Sequence, residues 1–222
     1  EIVLKHVKKM LVILLGIVIF VVLSPQSFAI VTVDHGLCGD NLKWSLDSDG
    51  ILTIEGTGKM DNSNTSPWEK YKTRIKHIII QNGVSTIGES AFRDCAELQS
   101  VIIPGTILSI DMNAFMNCVN LKEIEFPPSL QSIGNGAFEG CKNITDVVFP
   151  KGLKSCWLAF GEENHIKRVK LPNEESAYYD IYYLPELETV FLYEDNDAFE
   201  TDAFGVLHDK GKTKLIYAPK GN

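Results

Sequence analysis

The hydrophobic residues between positions 84 and 171 recur at an interval of 23 residues. The recurring columns include Val84, Ile107, Leu130 and Leu153; Ile87, Ile110, Ile133 and Cys156; Phe92, Phe115 and Phe138; and Leu98, Leu121 and Ile144. Units close on a proline, at Pro104, Pro127 and Pro150, and one residue drops out before Ala159. A repeat of this length cannot bury its own apolar face, so the units must stack into a solenoid.

Within one unit, apolar and polar positions alternate before the proline. Val101 and Ile103 are predicted to point inward. Ser100 and Ile102 are predicted to point outward, and this period of two indicates a β-strand. Pro104 ends the strand because proline cannot donate to a sheet. The preceding Ala-Phe-x-x-Cys segment has spacings of three and four, typical of a helical or 3₁₀ turn. Each coil of about 23 residues should therefore carry one parallel strand, with little α-helix.

The first 29 residues have the features of a secretory signal peptide. Lys5, Lys8 and Lys9 precede an apolar run of 13 residues at 11–23, and a short polar segment ends at Ala29. The run is shorter than the ~20 residues that span a bilayer, which disfavours a membrane anchor. We predict cleavage after Ala29, which gives a secreted or cell-surface chain with no membrane insertion.

The negative net charge of the chain disfavours some classes of binding partner. The formal net charge is −8 at pH 7. Residues 1–29 carry three lysines and one glutamate, so their removal would change the charge to −10. An acidic surface repels nucleic acid and anionic lipid, and neither is expected as a partner.

Residues 30–75 lack the repeat and are predicted to form an N-terminal β-hairpin cap, followed by the solenoid at 76–192. Two strand patterns, 41–46 and 51–55, flank a turn at 47–50. Asp47 and Asp49 echo part of a calcium loop, but the further ligands of such a loop are missing, so we favour a simple turn. The residues available to cover the apolar end of the first coil are Trp44, Leu46, Leu52, Ile54 and Trp68.

Residues 193–222 are predicted to add a second β-hairpin, from strand patterns at 204–208 and 213–218. A solenoid that stopped there would leave an open sheet edge, so further coils are expected. The four tyrosines at 178, 179, 182 and 183 are interpreted as packing of a divergent coil rather than as an aromatic binding patch.

Three of the five cysteines, Cys95, Cys118 and Cys141, occupy one column of the repeat. Each coil needs a small buried group there, and free cysteine fills that role. Coils stack at ~4.8 Å, so distance alone does not exclude a disulfide. Because equivalent side chains point the same way, we predict a ladder of buried thiols. The sequence assigns no role to Cys38 or Cys156.

The repeat resembles the BspA-like, or Treponema pallidum-type, leucine-rich repeat family. The matching units are VSTIGESAFRDCAELQSVIIP, ILSIDMNAFMNCVNLKEIEFP and LQSIGNGAFEGCKNITDVVFP. The resemblance implies a right-handed leucine-rich repeat solenoid and a secreted or surface-exposed, adhesin-like protein without enzymatic activity. The chain departs from the pattern at Asp111, where Gly88 and Gly134 predict glycine, and at Cys156 and Trp157, where isoleucine and glycine are expected.

The outward strand positions are expected to form the concave sheet, the usual partner surface of such solenoids. The predicted partner-binding residues are His77, Ile79, Ile102, Glu123, Glu125, Asp146, Val148, Arg168, Lys170 and Phe191. Glu123, Glu125 and Asp146 would make an acidic centre. Asp146 and Arg168 would lie on neighbouring strands, placed to pair.

Motifs of catalysis, cofactor binding and metal binding are missing from the sequence. It has no Gly-rich phosphate loop, His-Glu-x-x-His pair or Gly-x-Ser-x-Gly elbow. Cys156 and His165 could be drawn as a thiol–base pair, but Cys156 falls in an inward column, where thiols are inert. We predict a non-enzymatic module without cofactors that binds an extracellular protein or glycan. The alternative is a structural spacer that carries a further C-terminal domain.

Overall fold

Short strands dominate the computed structural model, which describes residues 31–62, 65–173, 181, 183–196, 199–202, 205–211 and 215–218. The predicted signal peptide at 1–29 lies outside these residues, as do Tyr178, Tyr179 and Tyr182. The strands are β1 (Thr32–Gly39), β2 (Leu42–Asp47), β3 (Ile51–Gly56), β4 (Gly58–Lys59), β5 (His77–Ile80), β6 (Val84–Ile87), β7 (Ser100–Ile102), β8 (Ser109–Ile110), β9 (Ser132–Ile133), β10 (Asp146–Val148), β11 (Ser155–Cys156), β12 (Arg168–Leu171), β13 (Thr189–Leu192), β14 (Phe199–Thr201), β15 (Leu207–Asp209) and β16 (Leu215–Tyr217). In this part of the chain the helical element with assigned bounds is a 3₁₀ turn at Glu69–Tyr71.

The strands predicted from the repeat pair in parallel, coil upon coil. β5 pairs with β7, β10 with β12, and β12 with β13. Ile78, Val147 and Val169 point inward and are each 1 % exposed. The residues on either side of each, in the same strand, are half-buried or exposed. The predicted solenoid of parallel strands about 23 residues apart, with little α-helix, is therefore confirmed.

The third coil interrupts this long sheet. Residues 123–126 are not in a strand, so the sheet divides into the orders β1-β2-β3-β5-β7 and β10-β12-β13. The inward side chains nevertheless stay in place. Ile124 is 6 % exposed, and the Phe126 ring lies 5.6 Å from that of Phe138. Glutamate has a low preference for strands, and the two prolines that follow, Pro127 and Pro128, lack N–H donors. Core packing thus keeps the coil in register where strand pairing stops.

Each of the first four coils also contains a strand of two to four residues at a second position, which the sequence pattern did not predict. β6, β8, β9 and β11 pair in parallel, and β4 of the cap begins the series. In β8 and β9, a half-buried serine alternates with a buried isoleucine. Strands of two residues contain too few alternating positions to be recognised from the sequence.

The core consists of the repeating columns. Phe92, Phe115, Phe138 and Phe160 stack with centroids 5.1 to 5.3 Å apart from one coil to the next. Each aromatic pair adds about 0.5–1.5 kcal/mol beyond the burial of its surface. A ladder of this kind ties neighbouring coils together and makes their packing interdependent.

The thiol ladder is confirmed. All five cysteines are free and buried. The Sγ of Cys118 donates to the carbonyl of Phe92 over 3.2 Å, and that of Cys141 to the carbonyl of Phe115 over 3.1 Å. The thiols therefore satisfy carbonyls of the preceding coil, a use that the sequence did not reveal.

The turn after the second strand has a left-handed backbone at the same position in the first four coils. The φ angles there are 55° at Ser90, 57° at Asn113, 63° at Gly136 and 48° at Leu158. Glycine and asparagine tolerate this conformation, but leucine is strained in it. The fourth coil, which departs from the repeat in sequence, is therefore also strained in its backbone.

The cap extends the long sheet. β2 and β3 form the predicted antiparallel hairpin, and β3 pairs in parallel with β5 of the first coil. Asp47 Oδ1 accepts the N–H groups of Asp49 and Ile51, each over 2.9 Å, which confirms the turn interpretation. The sequence did not predict β1, which pairs antiparallel with β2 through an irregular register. Near the C-terminal end of the chain, β15 and β16 form the second predicted hairpin, and β14 pairs with β15.

Candidate partner-binding face

The outward side chains of the long sheet line up across the coils, and we call this surface the strand face. Its two columns are His77, Ser100, Glu123, Asp146, Arg168 and Thr189, and Ile79, Ile102, Glu125, Val148, Lys170 and Phe191. Every one of these residues is half-buried or exposed. Strand pairing aligns eight of the ten residues predicted to bind a partner, three in the first sheet and five in the second, whereas Glu123 and Glu125 lie in the unpaired segment between the two sheets.

The first column is polar and makes hydrogen bonds within itself. His77 Nδ1 lies 2.9 Å from the Ser100 hydroxyl, and burial, aided by the charge of Lys76, lowers the pKa of the His77 imidazole. Arg168 Nε donates to Asp146 Oδ1, so the pairing predicted for these two residues is present. The hydrogen bond from Asp146 also raises the pKa of the Arg168 guanidinium. Side chains that bond to one another on a sheet have fewer hydrogen bonds to offer a partner.

The second column is mostly apolar. Ile79 lies opposite Ile102, and Lys170 lies between Val148 and Phe191. Ile102 is 40 % exposed and Phe191 39 % exposed, which is high for large hydrophobic side chains. The column thus carries apolar surface on the first two coils and again beyond the third.

Lys170, the basic member of this column, has a neighbour that the outward columns did not reveal. Its Nζ lies 4.1 Å from the ring centroid of Tyr193, a distance suited to a cation–π interaction. The Tyr193 hydroxyl donates to the carbonyl of Phe149 over 2.9 Å, which fixes the ring. Burial raises the pKa of this phenol. The Lys170 ammonium is therefore held by its own coil neighbours.

The two glutamates of the strand face lie where the sheet is interrupted. Glu123 is half-buried and Glu125 is exposed. Among the described residues, no side chain forms an ion pair with Glu125. Asp146, the third acid of the predicted centre, is paired with Arg168. The acidic character predicted for this centre is thus concentrated on the third coil.

The cap adds residues to the strand face that the sequence analysis did not include. Thr53 lies opposite Ile79, Ser45 opposite Thr53, and His35 opposite Ser45. Beside this row, an open groove of about 400 Å³ is lined by residues including His35, Leu37, Lys43, Ser45 and Glu55. The alternation of Leu52 and Ile54, both buried, with Thr53 was the signal that could have found this extension.

The described residues contain neither a metal-binding cluster nor an exposed thiol–base pair. They contain no group of three or more His, Cys, Asp or Glu side chains that could hold a metal ion. Cys156 is 1 % exposed, and the His165 imidazole lies 2.7 Å from Glu186 Oε1. No helix within the described ranges is long and apolar enough to cross a membrane.

Solved structures of bacterial proteins show the same fold. A leucine-rich repeat protein from Eubacterium ventriosum matches with a TM-score of 0.68 and 25 % identity, over 84 % of this chain and 50 % of that chain. One from Bacteroides ovatus matches with a TM-score of 0.55 and 20 % identity, over 74 % of this chain and 47 % of that one. The leucine-rich repeat protein of T. pallidum matches with a TM-score of 0.51 and 22 % identity, over 70 % and 82 % of the two chains. The present chain thus spans half the length of the E. ventriosum protein.

Family membership rests on the repeats themselves. No curated protein matches the chain. The family model of the BspA type leucine rich repeat region matches residues 70–184 in six copies. These residues contain the aromatic ladder, the thiol ladder and most of the strand face. The chain belongs to the BspA-type leucine-rich repeat family.

Proposed function

We propose that the chain is a non-enzymatic, secreted or cell-surface recognition module that binds an extracellular protein or glycan through the strand face. The observation that carries this proposal is the alignment of the two outward columns within each part of the divided sheet, continued by the cap beside the first coil. Solenoids commonly use such extended surfaces to bind partners.

The exposed apolar residues give the strand face its capacity to bind. Ile102 and Phe191 would lose contact with water when a partner covers them, and such burial is worth ~25 cal/mol per Å² of apolar surface. Exposed hydrophobic residues that lie together on soluble domains commonly mark interaction sites, and Ile102 lies opposite Ile79 on the neighbouring strand. Ile79 and Val148 extend the apolar surface along the same column.

Two observations support the proposed secreted or cell-surface location. The first 29 residues have the pattern of a secretory signal, with a basic segment, an apolar run and a cleavage site at Ala29. Family resemblance also favours a surface or secreted protein. A recognition module in that location meets extracellular proteins and glycans rather than nucleic acid.

A binding experiment with one charge reversal tests the proposal. The chain is immobilised and exposed to extracellular matrix proteins, serum proteins and a glycan array, with the Glu125→Arg variant alongside. Glu125 is preferable to Asp146, because replacing Asp146 would also remove the partner of Arg168. Glu162→Arg serves as the matched control, since Glu162 is an exposed glutamate in a turn away from the strand face.

The expected result is saturable binding that Glu125→Arg weakens and Glu162→Arg leaves unchanged, with the same melting temperature for all three proteins. Binding that is equally strong in both variants would reject the strand face. Failure to bind any of these probes would count against recognition and favour the spacer role.

A further inference from the structure

We propose that the occupant of the strand face is an amphipathic α-helix of a partner protein, lying along the apolar column with a lysine or arginine opposite Glu125. This inference rests on the proposed function and specifies the partner class. The column reads Ile79, Ile102, Glu125, Val148, Lys170 and Phe191 from coil to coil. A helix that fits would present apolar residues to the first, second and fourth positions and a basic residue to the third.

The spacing between neighbouring coils favours a helical partner over an extended one. Paired strands lie about 4.8 Å apart. At the third coil, where strand pairing stops, the stacked rings of Phe115 and Phe138 keep their centroids 5.2 Å apart. A helix presents one turn of its face about every 5.4 Å along its axis. An extended chain presents same-side residues about every 6.7 Å and falls out of step within two coils. A helix parallel to the solenoid axis can therefore place one side chain on each coil.

Charge complementarity determines which residue the partner helix should carry opposite Glu125. Glu125 is exposed between two apolar positions of the column, Ile102 and Val148. The two cations of the strand face are already engaged, since Arg168 pairs with Asp146 and the Lys170 ammonium lies over the Tyr193 ring. A basic side chain of the partner would balance the Glu125 carboxylate, whereas an apolar or acidic one would leave it buried and unpaired.

The side-chain chemistry of the column also favours a protein over a glycan. Its apolar members are aliphatic except for Phe191. Sugar rings bind best against flat aromatic faces, whereas isoleucine and valine pack well against leucine-like side chains of a helix. The polar column is bonded within itself through His77 with Ser100 and Asp146 with Arg168, so it would form the rim.

The test compares three sets of probes on the 222-residue chain. The first is a displayed library of single helices with five randomised turns on one face. The second is a library of the same composition displayed in an extended hairpin loop, and the third is a glycan array. Each selected ligand is measured against Glu125→Lys and Ile102→Ser. The matched controls are Glu162→Lys and Leu108→Ser, since Leu108 is 45 % exposed but lies off the strand face.

The inference predicts helical ligands with a basic residue at the third turn between aliphatic residues. Their affinity should fall at least about tenfold in Glu125→Lys and in Ile102→Ser, and stay unchanged in both controls. Replacing the basic residue of the ligand by glutamate should restore binding to Glu125→Lys. Hairpin-loop or glycan ligands with the same sensitivity, in place of helical ones, would overturn the helix and keep the proposed function. Ligands indifferent to both face variants, or no ligand of any class, would overturn both.

Discussion

The indole Nε1 of Trp68 donates a hydrogen bond to the backbone carbonyl of Ala91 over 2.8 Å. Trp68 is 1 % exposed, and its ring stacks on Phe92 with the centroids 5.4 Å apart. The cap therefore supplies the first member of the aromatic ladder that runs through the coils. The Trp68 and Trp44 rings also meet edge-on with their centroids 5.9 Å apart, so the ladder joins the cap hairpin. Cap and coils share one core.

Removing the Trp68 side chain is expected to destabilise the whole repeat region. Trp68→Ala should lower the free energy of unfolding by about 3–5 kcal/mol, because it creates a cavity at the start of the ladder. Trp68→Phe should cost less than Trp68→Ala, since a six-membered ring can still stack on Phe92, although the hydrogen bond to Ala91 and part of the buried volume are lost. Urea denaturation followed by circular dichroism measures both. Trp157→Ala is the control, because Trp157 is 53 % exposed, and an equal loss there would contradict the argument.

The buried thiols predict a loss of stability at high pH. Burial raises the pKa of Cys95 from its usual 9.0 to about 12. The unfolded chain therefore loses this proton first, and the contribution to stability is complete below pH 9 and is lost as the pH rises toward 12. The free energy of unfolding should fall over this interval, and less steeply in Cys95→Ala. Lysine and tyrosine titrate in both proteins, so parallel pH profiles would refute the role of the thiol.

Protonation of the Asp34 carboxylate is expected to reduce the stability of the fold at low pH. The Lys70 ammonium, 3.0 Å away, and the Tyr71 hydroxyl, 2.8 Å away, together with the His35 N–H, lower the pKa of Asp34 from 3.8 to about 2. A lowered pKa stabilises the fold above pH 3.8, and this contribution is lost as the pH falls toward 2.

The variant Asp34→Asn should therefore melt at a lower temperature than the parent chain at pH 7, and the difference should vanish near the pKa of about 2. Thermal melts across this pH range measure the effect. Asp40→Asn, at an exposed position of the same cap, is the control. A constant difference at every pH would show that Asp34 acts through packing rather than through its charge.

The strained turn of the fourth coil predicts a stabilising substitution. Leu158 has φ 48°, whereas the equivalent residue of the second coil, Asn113, has φ 57°. Leucine is disfavoured in this region by about 1–2 kcal/mol, and asparagine tolerates it. Leu158→Asn should raise the free energy of unfolding by about 1 kcal/mol, and Asn113→Leu should lower it by a similar amount. Chemical denaturation of both variants tests this, and two changes of the same sign would rule out backbone strain as the cause.

The sequence by itself determined the coil and its inward columns. A period of 23 residues places equivalent side chains one above another, so columns such as Phe92 with Phe115 and Cys118 with Cys141 had to stack once the chain wound. The alternation around Val101 also determined which side chains point outward. Those conclusions need only the spacing of residues within and between units, which the printed sequence contains.

Only the tertiary structure decided the elements that depend on neighbours distant in sequence. The two-residue strands β8 and β9 form because stacked coils bring their backbones together to pair. In the same way, β1 forms through its pairing with β2. Trp68 joins the aromatic ladder through contacts with Phe92, outside the repeat pattern. The sheet also stops at residues 123–126 although the inward pattern continues there. Strand pairing requires the backbone N–H and C=O groups of two coils to lie within hydrogen-bonding distance of each other. No local pattern of side chains specifies that arrangement.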